Sequence, residues 1–226
     1  MISIKCSGIK KSFVNGENKT EALRGVNLEI RDNTLTLLVG PSGSGKTTLL
    51  SIIETILTPD EGDLFLLGHD VNKMKELERA QFRNKNIGVV FQALHLIPTL
   101  TVLENVILPL VIKGENENKA KKKGQGLLAQ LNIQEKMNFS PAQLSRGQQQ
   151  RAAIARALVN DSKIILCDEP TGSLDQKNGH TFMTILRDLA SQGDRTILVI
   201  THDHRIFSFA DHIININDGL IEKKNE

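Results

Sequence analysis

The run GPSGSGKTT at 40–48 has residue types and spacing suited to holding a polyphosphate. Gly40, Gly45, Lys46 and Thr47 occupy the fixed positions of G-x-x-x-x-G-K-[ST]. The apolar run Leu35–Val39 precedes it and the helix-forming run Thr48–Ile56 follows, which is the strand–loop–helix setting a phosphate-binding loop requires. Glycine lets a backbone curl until successive N–H groups face one anion. The next helix adds the positive end of its dipole. Gly40, Pro41, Ser42, Gly43, Ser44, Gly45, Lys46, Thr47 and Thr48 therefore form a candidate phosphate cradle. Lys46 is spaced to reach β- and γ-phosphates, and the Thr47 hydroxyl to help hold Mg²⁺.

Two further runs extend this chemistry. IILCDEP at 164–170 reads as an apolar strand ending in two acids. Asp168 at the strand end suits a Mg²⁺ site, bound through a water. Glu169, one residue on, suits a carboxylate that orients an attacking water. LSRGQQQR at 144–151 opens a helix, where Ser145 and Gly147 offer a hydroxyl and backbone N–H groups to an anion. Helix capping by Ser145 is the simpler role for the same hydroxyl.

LSRGQ followed by ILCDEP resembles the signature of ATP-binding-cassette (ABC) ATPases, LSGGQ before an apolar strand and an Asp–Glu pair. The resemblance runs from about residue 4 to 222 and implies roles for further positions. Gln92, in VVFQ, matches the Q-loop glutamine that contacts Mg²⁺ and the attacking water. Ser173-Leu174-Asp175 matches the D-loop, and His202, in VITHD, the switch histidine that senses the γ-phosphate. Ser145, Gly147, Gln148 and Asp175 become nucleotide contacts by the same resemblance. Phe13 falls where the family stacks an aromatic on adenine, although a core aromatic looks the same in sequence. One position departs: Arg146 stands where the consensus has glycine. Ser145 and Gly147 keep the backbone donors, so tolerance is expected, with the added side chain crowding the nucleotide or pointing into solvent.

The 226 residues suit one large α/β domain, and the 39% hydrophobic fraction supports a sizeable core. A net charge of +2 gives no argument for nucleic acid as a partner. Apolar runs such as Ile107–Ile112 and Ile197–Thr201 are far too short to span a bilayer. The N-terminal residues show no long apolar stretch of a secretory leader. Cys6 and Cys167 lie far apart, which argues against a structural disulfide and for a cytosolic setting.

The elements that must position these residues alternate. Strands are expected at 2–14 and 25–31 around a polar turn Asn15–Thr20, then at Leu35–Val39, Asp63–Leu67, Ile87–Phe91, Ile164–Cys167, Thr196–Ile200 and Ile213–Ile216. Helical periods fall at Lys73–Arg83, Val102–Ile112, Lys119–Leu131, from Ser145, and at 178–191 and 203–209, with Ser140–Pro141 resembling a helix start. The alternation predicts an α/β fold with a parallel sheet. In the family's terms this is a P-loop NTPase (RecA-like) core with an N-terminal antiparallel β-subdomain, over 1–92 and 157–226, and an inserted α-helical subdomain over 93–156. The KAKKK run Lys119–Lys123 is a charge cluster whose simple reading is a solvated face and whose alternative is contact with anionic lipid.

One phosphate loop and one signature per chain imply a head-to-tail homodimer enclosing two ATP molecules with Mg²⁺. LIPTLTVLENVILPL, ARALVN and DEPTGSLD are similar to the group holding the lipoprotein-release ATPase LolD, the macrolide-export ATPase MacB and the glycolipid-export ATPase DevA. That implies a peripheral subunit on the cytoplasmic face of the inner membrane. Its partners would be an integral membrane permease docked by residues 93–112 and a periplasmic adaptor. The competing expectation is an FtsE-like ATPase that switches a membrane protein without transport, or a soluble assembly ATPase.

Overall fold

A computed structural model describes residues 1–16, 18–172, 174–191 and 195–222. Two sheets carry the chain. The first, in the order β2-β1-β4-β5, is antiparallel and built from β1 (Ile2–Asn15), β2 (Asn18–Arg31), β4 (Glu61–Leu66) and β5 (His69–Asp70). The second has the order β10-β9-β3-β8-β7-β6. Its members are β3 (Leu35–Val39), β6 (Ile87–Val90), β7 (Ile164–Asp168), β8 (Thr196–Thr201), β9 (His212–Asn217) and β10 (Leu220–Ile221). All its pairings are parallel except the β9–β10 hairpin.

Side-chain alternation along the parallel strands explains why they are apolar throughout. Leu35, Leu37 and Val39 of β3, Ile165 and Cys167 of β7, and Ile197 and Val199 of β8 join one core. Leu38, Ile164, Leu166, Leu198 and Ile200 point the other way into a second core. The period-two rule thus divides each strand between two covered faces. The first core is capped by α3 (Val102–Ile112), α4 (Glu117–Gln130), α5 (Arg146–Leu158) and α6 (Gln176–Ser191). The second is closed by α1 (Lys46–Ile53), α2 (Glu76–Asn86) and the antiparallel sheet. α3, α4 and α5 all fall between β6 and β7.

Several boundaries differ from the sequence expectation, each for a local reason. β2 begins at Asn18, inside the expected polar turn; its first residues are exposed and pair through backbone alone, so no apolar alternation marks them. α1 starts at Lys46, not Thr48, and ends at Ile53 because Thr55 turns to a φ of 63°. α2 lies three residues later than Lys73–Arg83, held by the Glu78 side chain accepting from Lys75 N at 2.7 Å. Ser140–Pro141 opens only a 3₁₀ turn, Pro141–Gln143, and the helix proper waits for Ser145. The 203–209 segment is 3₁₀ rather than α. α3 matches its expected span, because Thr101 and Glu104 form a capping box with bonds of 2.7 and 3.2 Å. In the KAKKK helix, Lys121 pairs with Glu117 at 2.6 Å and Lys123 pairs with Asp161.

Two glycines contrast in what surrounds them. A Cβ on Gly88 of β6 would sit 2.1 Å from the carbonyl oxygen of Ala157 in α5, so strand and helix pack backbone to backbone. Gly126, on the exposed face of α4, has nothing within 4 Å. Gly88→Ala should therefore destabilise the chain by about 1–3 kcal/mol through overpacking. Gly126→Ala should stabilise it by roughly 0.5–1 kcal/mol through helix propensity. Thermal melts of the two variants check this, and equal melting temperatures would contradict the packing argument.

Candidate active site

The C-terminal edge of the parallel sheet gathers the candidate residues. In the strand order β3-β8-β7-β6, the ends deliver Gly40, His202, Asp168 with Glu169, and Gln92 in sequence along one rim. Ligands in open α/β sheets sit beyond that edge. A cleft of ≈ 860 Å³ lies there, lined by Gly40, Ser42, Gly43, Gly45, Lys46, Thr47, Thr48, Gln92, Asp168, Glu169 and His202, all anticipated from sequence.

The loop's conformation follows from its glycines. Gly43 and Gly45 take φ of 79° and 97°, values that disfavour any residue with a Cβ. A Cβ on Gly40 would meet the Ile216 carbonyl at 2.1 Å, and one on Gly45 would meet the Ala22 carbonyl at 2.5 Å. Gly45 caps α1 with no side-chain bond, and no acid stands in the first turn. That leaves the positive end of the helix aimed into the cleft. Lys46 is 8% exposed, and its Nζ donates to Gly40 O at 2.8 Å and Pro41 O at 2.7 Å, with Ser44 Oγ at 3.5 Å. Burial lowers the Lys46 pKa, opposed by the charges of Glu169 and Asp168.

Across the cleft, Asp168 ends β7 and Glu169 follows with a φ of 46°. That left-handed backbone costs energy in a non-glycine residue. It is held by Glu169 N donating to Ile200 O at 3.0 Å. Glu169 Oε1 lies 2.7 Å from Nδ1 of His202, while its Oε2 is buried with no hydrogen-bond partner among the described residues. Burial raises the Asp168 carboxyl, the neighbouring Glu169 charge pushes it the same way, and Lys46 opposes both. The Gln92 amide faces Gly172, where an added Cβ would be 3.2 Å from Nε2.

Other expected contacts lie outside this cleft. Ser145 caps α5: its N donates to Gln148 Oε1 at 2.9 Å and its Oγ accepts from Gln148 N at 3.4 Å. A Cβ on Gly147 would meet Asn178 Oδ1 at 3.1 Å, and Asn178 in turn binds Asp175 through bonds of 2.8 and 2.6 Å. Ser145, Gly147, Gln148 and Asp175 thus cluster at the start of α5 and α6, and none lines the cleft. Pro41 and Ser44 shape the loop from behind the lining. Ser173 lies outside the described residues. Phe13 is 43% exposed on β1 and is absent from the lining, which instead takes its cross-strand partner Thr20.

Sequence reading missed the β2 side of the cleft. Lys19, Thr20, Glu21, Ala22 and Arg24 line it, with Asp218 from the β9–β10 turn. Arg24 pairs with Asp218 at 2.7 Å, and Gly219 N donates to Ser44 O at 3.1 Å, which fastens both segments to the phosphate loop. Their residue types carry no phosphate signal; only the hairpin's length brings them there.

Fold and cleft together define a P-loop nucleoside triphosphatase. The family model described as "ABC transporter" matches residues 23–172. An uncharacterized ABC transporter ATP-binding protein of Methanocaldococcus jannaschii, MJ1508, is 44% identical over 218 residues, covering 96% of this chain and 97% of its own. The lipoprotein-releasing system ATP-binding protein LolD of Bacteroides thetaiotaomicron is 41% identical over 220 residues, covering 97% and 99%. The macrolide export ATP-binding/permease protein MacB of a Shewanella species is 40% identical over 218 residues; the match covers 96% of this chain and 34% of MacB. The solved dimeric structure of MJ0796, a bacterial ABC transporter cassette, superposes with a TM-score of 0.89 at 40% identity, covering 97% of both chains. A post-hydrolysis dimeric state of the same cassette with ADP and Pi gives a TM-score of 0.89 at 39% identity. The chain belongs to the ABC transporter family, as one of its ATP-hydrolysing, ATP-binding cassettes.

The raised Asp168 pKa carries a stability prediction. An ionised carboxylate that burial disfavours weakens the ligand-free fold, and the penalty grows as pH rises through the raised folded-state value. Asp168→Asn should melt higher than the parent at pH 7 without ligand, with the gain shrinking as pH falls toward ordinary aspartate values. Differential scanning calorimetry checks it; a variant that melts lower at neutral pH would contradict it.

Proposed function

We propose that two copies of this chain close head to tail on two ATP molecules, and that their opening and closing drives a separate membrane subunit. The observation that carries this reading is spatial. The phosphate loop, Gln92, Asp168, Glu169 and His202 share one cleft, while Ser145, Gly147 and Gln148 lie outside it. A second chain supplies what the first cannot bring to its own nucleotide, and the dimeric cassette at 40% identity supports that pairing.

In this reading the catalytic residues are Glu169, His202, Lys46 and Gln92. Lys46 exchanges the Gly40 and Pro41 carbonyls for the β- and γ-phosphates. Glu169 accepts from the attacking water through its unpartnered Oε2. His202 holds the other carboxylate oxygen and so fixes the direction of that acceptor. Thr47, Gln92 and Asp168 fit a Mg²⁺ site: all three offer oxygen donors. No group of three His, Cys, Asp or Glu residues suited to a metal occurs among the described residues. That suits an ion that takes few protein ligands and keeps phosphate oxygens and waters. Bound there, Mg²⁺ neutralises charge on the β- and γ-phosphates. Phe13 remains the proposed adenine contact, as the cross-strand partner of Thr20, which lines the cleft. Asp175 supports the signature of its own chain through Asn178.

The division of labour follows the chain: residues 1–92 and 157–226 hold nucleotide, and 93–156 present the signature. The 93–112 segment is the proposed dock for a permease's cytoplasmic helix. Asn105, fully buried, pins the loop before α3 with bonds of 2.7–3.2 Å to Ile97, Leu100 and Thr101. A groove of ≈ 460 Å³ opens beside it, edged by Phe91, His95, Pro109 and Ile112. Ile112 is 71% exposed at the end of α3. No described helix is long and apolar enough to cross a membrane, and the proposed permease is a partner outside these residues. The lipoprotein release and macrolide export in the names of the LolD and MacB relatives support export or release of a lipid, lipoprotein, peptide or drug-like cargo over an FtsE-like switch. The proposed place of the chain is the cytoplasmic face of the inner membrane, and a periplasmic adaptor is its further proposed partner.

Glu169→Gln should bind ATP with near-parental affinity, hydrolyse it at least about a hundredfold more slowly and accumulate as a dimer. Steady-state turnover and light scattering with ATP check this. A variant with near-normal turnover would remove Glu169 from its role.

A further inference from the structure

Arg146 does not line the chain's own cleft, and its guanidinium turns back onto the same chain. It is half-buried, and its Nη2 donates to the backbone carbonyl oxygen of Gln92 in the same chain at 2.7 Å. Near the other end of α5, Arg156 does the same to the next residues of that loop. Its Nη1 reaches His95 O at 2.6 Å and its Nη2 reaches Leu94 O at 2.6 Å. Leu94 and His95 sit in left-handed backbone, with φ of 60° and 45°. Consecutive non-glycine residues hold such a turn only when their surroundings over-determine it. The loop after Gln92 therefore hangs from α5 through two guanidiniums.

The two attachments differ in what their helix positions face. Arg156 lies in the last turn, packed toward β6. Arg146 is the first residue of α5, between Ser145 and Gly147, the two groups proposed to grip the partner's nucleotide. A glycine at 146, as in the family consensus, lacks any side chain to reach Gln92. In the two-chain reading the same short segment faces the partner's nucleotide through its flanking peptide groups, while its guanidinium bonds to Gln92 of its own site. The bond ties the α5 N-terminus to Gln92, a residue that lines the chain's own cleft.

We infer that Arg146 is a positioning residue that couples the two nucleotide sites, relaying occupancy of the signature in trans to Gln92 in cis. The inference rests on the two-chain reading above. Linkage makes the effect reciprocal: occupancy of the chain's own site must equally change the affinity of its signature for the partner's nucleotide.

The test compares the full chain with R146A, R146G, R146Q and R146K. ATPase rates are titrated with ATP and separately with Mg²⁺, alongside melting temperature and the binding of a fluorescent ATP analogue at concentrations that keep the chain monomeric. R146A, R146G and R146Q should lose cooperativity, their Hill coefficients falling toward one, and need about fivefold or more Mg²⁺ for half-maximal rate. Their analogue affinity should stay within about twofold, because the contact lies outside the single-chain phosphate grip. R146K, which keeps a charged donor, should recover part of the cooperativity. Parental Hill coefficients and Mg²⁺ dependence in R146A and R146Q would overturn the proposal. The pair E169Q and E169Q/R146A separates the two readings. If both dimerise with ATP while R146A keeps the parental Hill coefficient, only the coupling falls. If E169Q never dimerises, the two-chain reading falls and takes the coupling with it.

Discussion

The architecture depends on a single electrostatic arrangement: the ammonium group of a buried lysine, held among oxygen atoms it can exchange for phosphate. Lys46 is partly desolvated, which disfavours its charge, and it is steadied by its loop's carbonyls and by the charges of Glu169 and Asp168. A group in that position gains more from a polyanion than an exposed lysine does, because part of its water has already been removed. The rest of the site continues the same logic. Backbone N–H groups of the loop and the α1 dipole add fixed positive potential at no reorganisation cost. Asp168 and Glu169 stand opposite, supplying oxygen atoms for a cation and for a water.

Delivering these groups to one rim is the task of the parallel sheet. Four adjacent strands end together, and each contributes a residue one or two positions beyond its last paired one. Strain gathers at the same rim. Glu169, Leu94 and His95 all occupy left-handed backbone, and each is held by a named bond to Ile200 or Arg156. Such local cost persists because two covered sheet faces and close approaches such as Gly88 against Ala157 leave the backbone little freedom to relax.

Much of this was legible in the residues because the relevant signals are local. The phosphate loop is a contiguous run whose glycines are demanded by φ and by contacts under 3 Å. The parallel strands announce themselves as short apolar runs, and α3 by its capping box. What stayed hidden is what arises between distant segments. The β2 lining of the cleft depends on backbone pairing of exposed polar residues, which no hydrophobic period records. Phe13 fits a stacking position in sequence but leaves the cleft lining to Thr20 across the hairpin. The bond from Arg146 spans 54 residues, and only the docking of α5 beside the β6 end creates it. The 3₁₀ segment at 204–209 reads as a helix by period, and nothing in its composition shows that Asp203 caps it with a tighter turn.

The central claim is that each nucleotide is completed by two chains, and complementation tests it most directly. Lys46→Ala removes the phosphate grip and leaves the signature; Ser145→Phe blocks the signature and leaves the grip. Each variant alone should be inactive, since losing such a group costs on the order of a hundredfold or more in rate. Mixed in equal amounts with ATP and Mg²⁺, they should regain hydrolysis, because the mixed dimer contains one intact composite site. A mixture as inactive as its components, although the two variants still pair, would contradict the account.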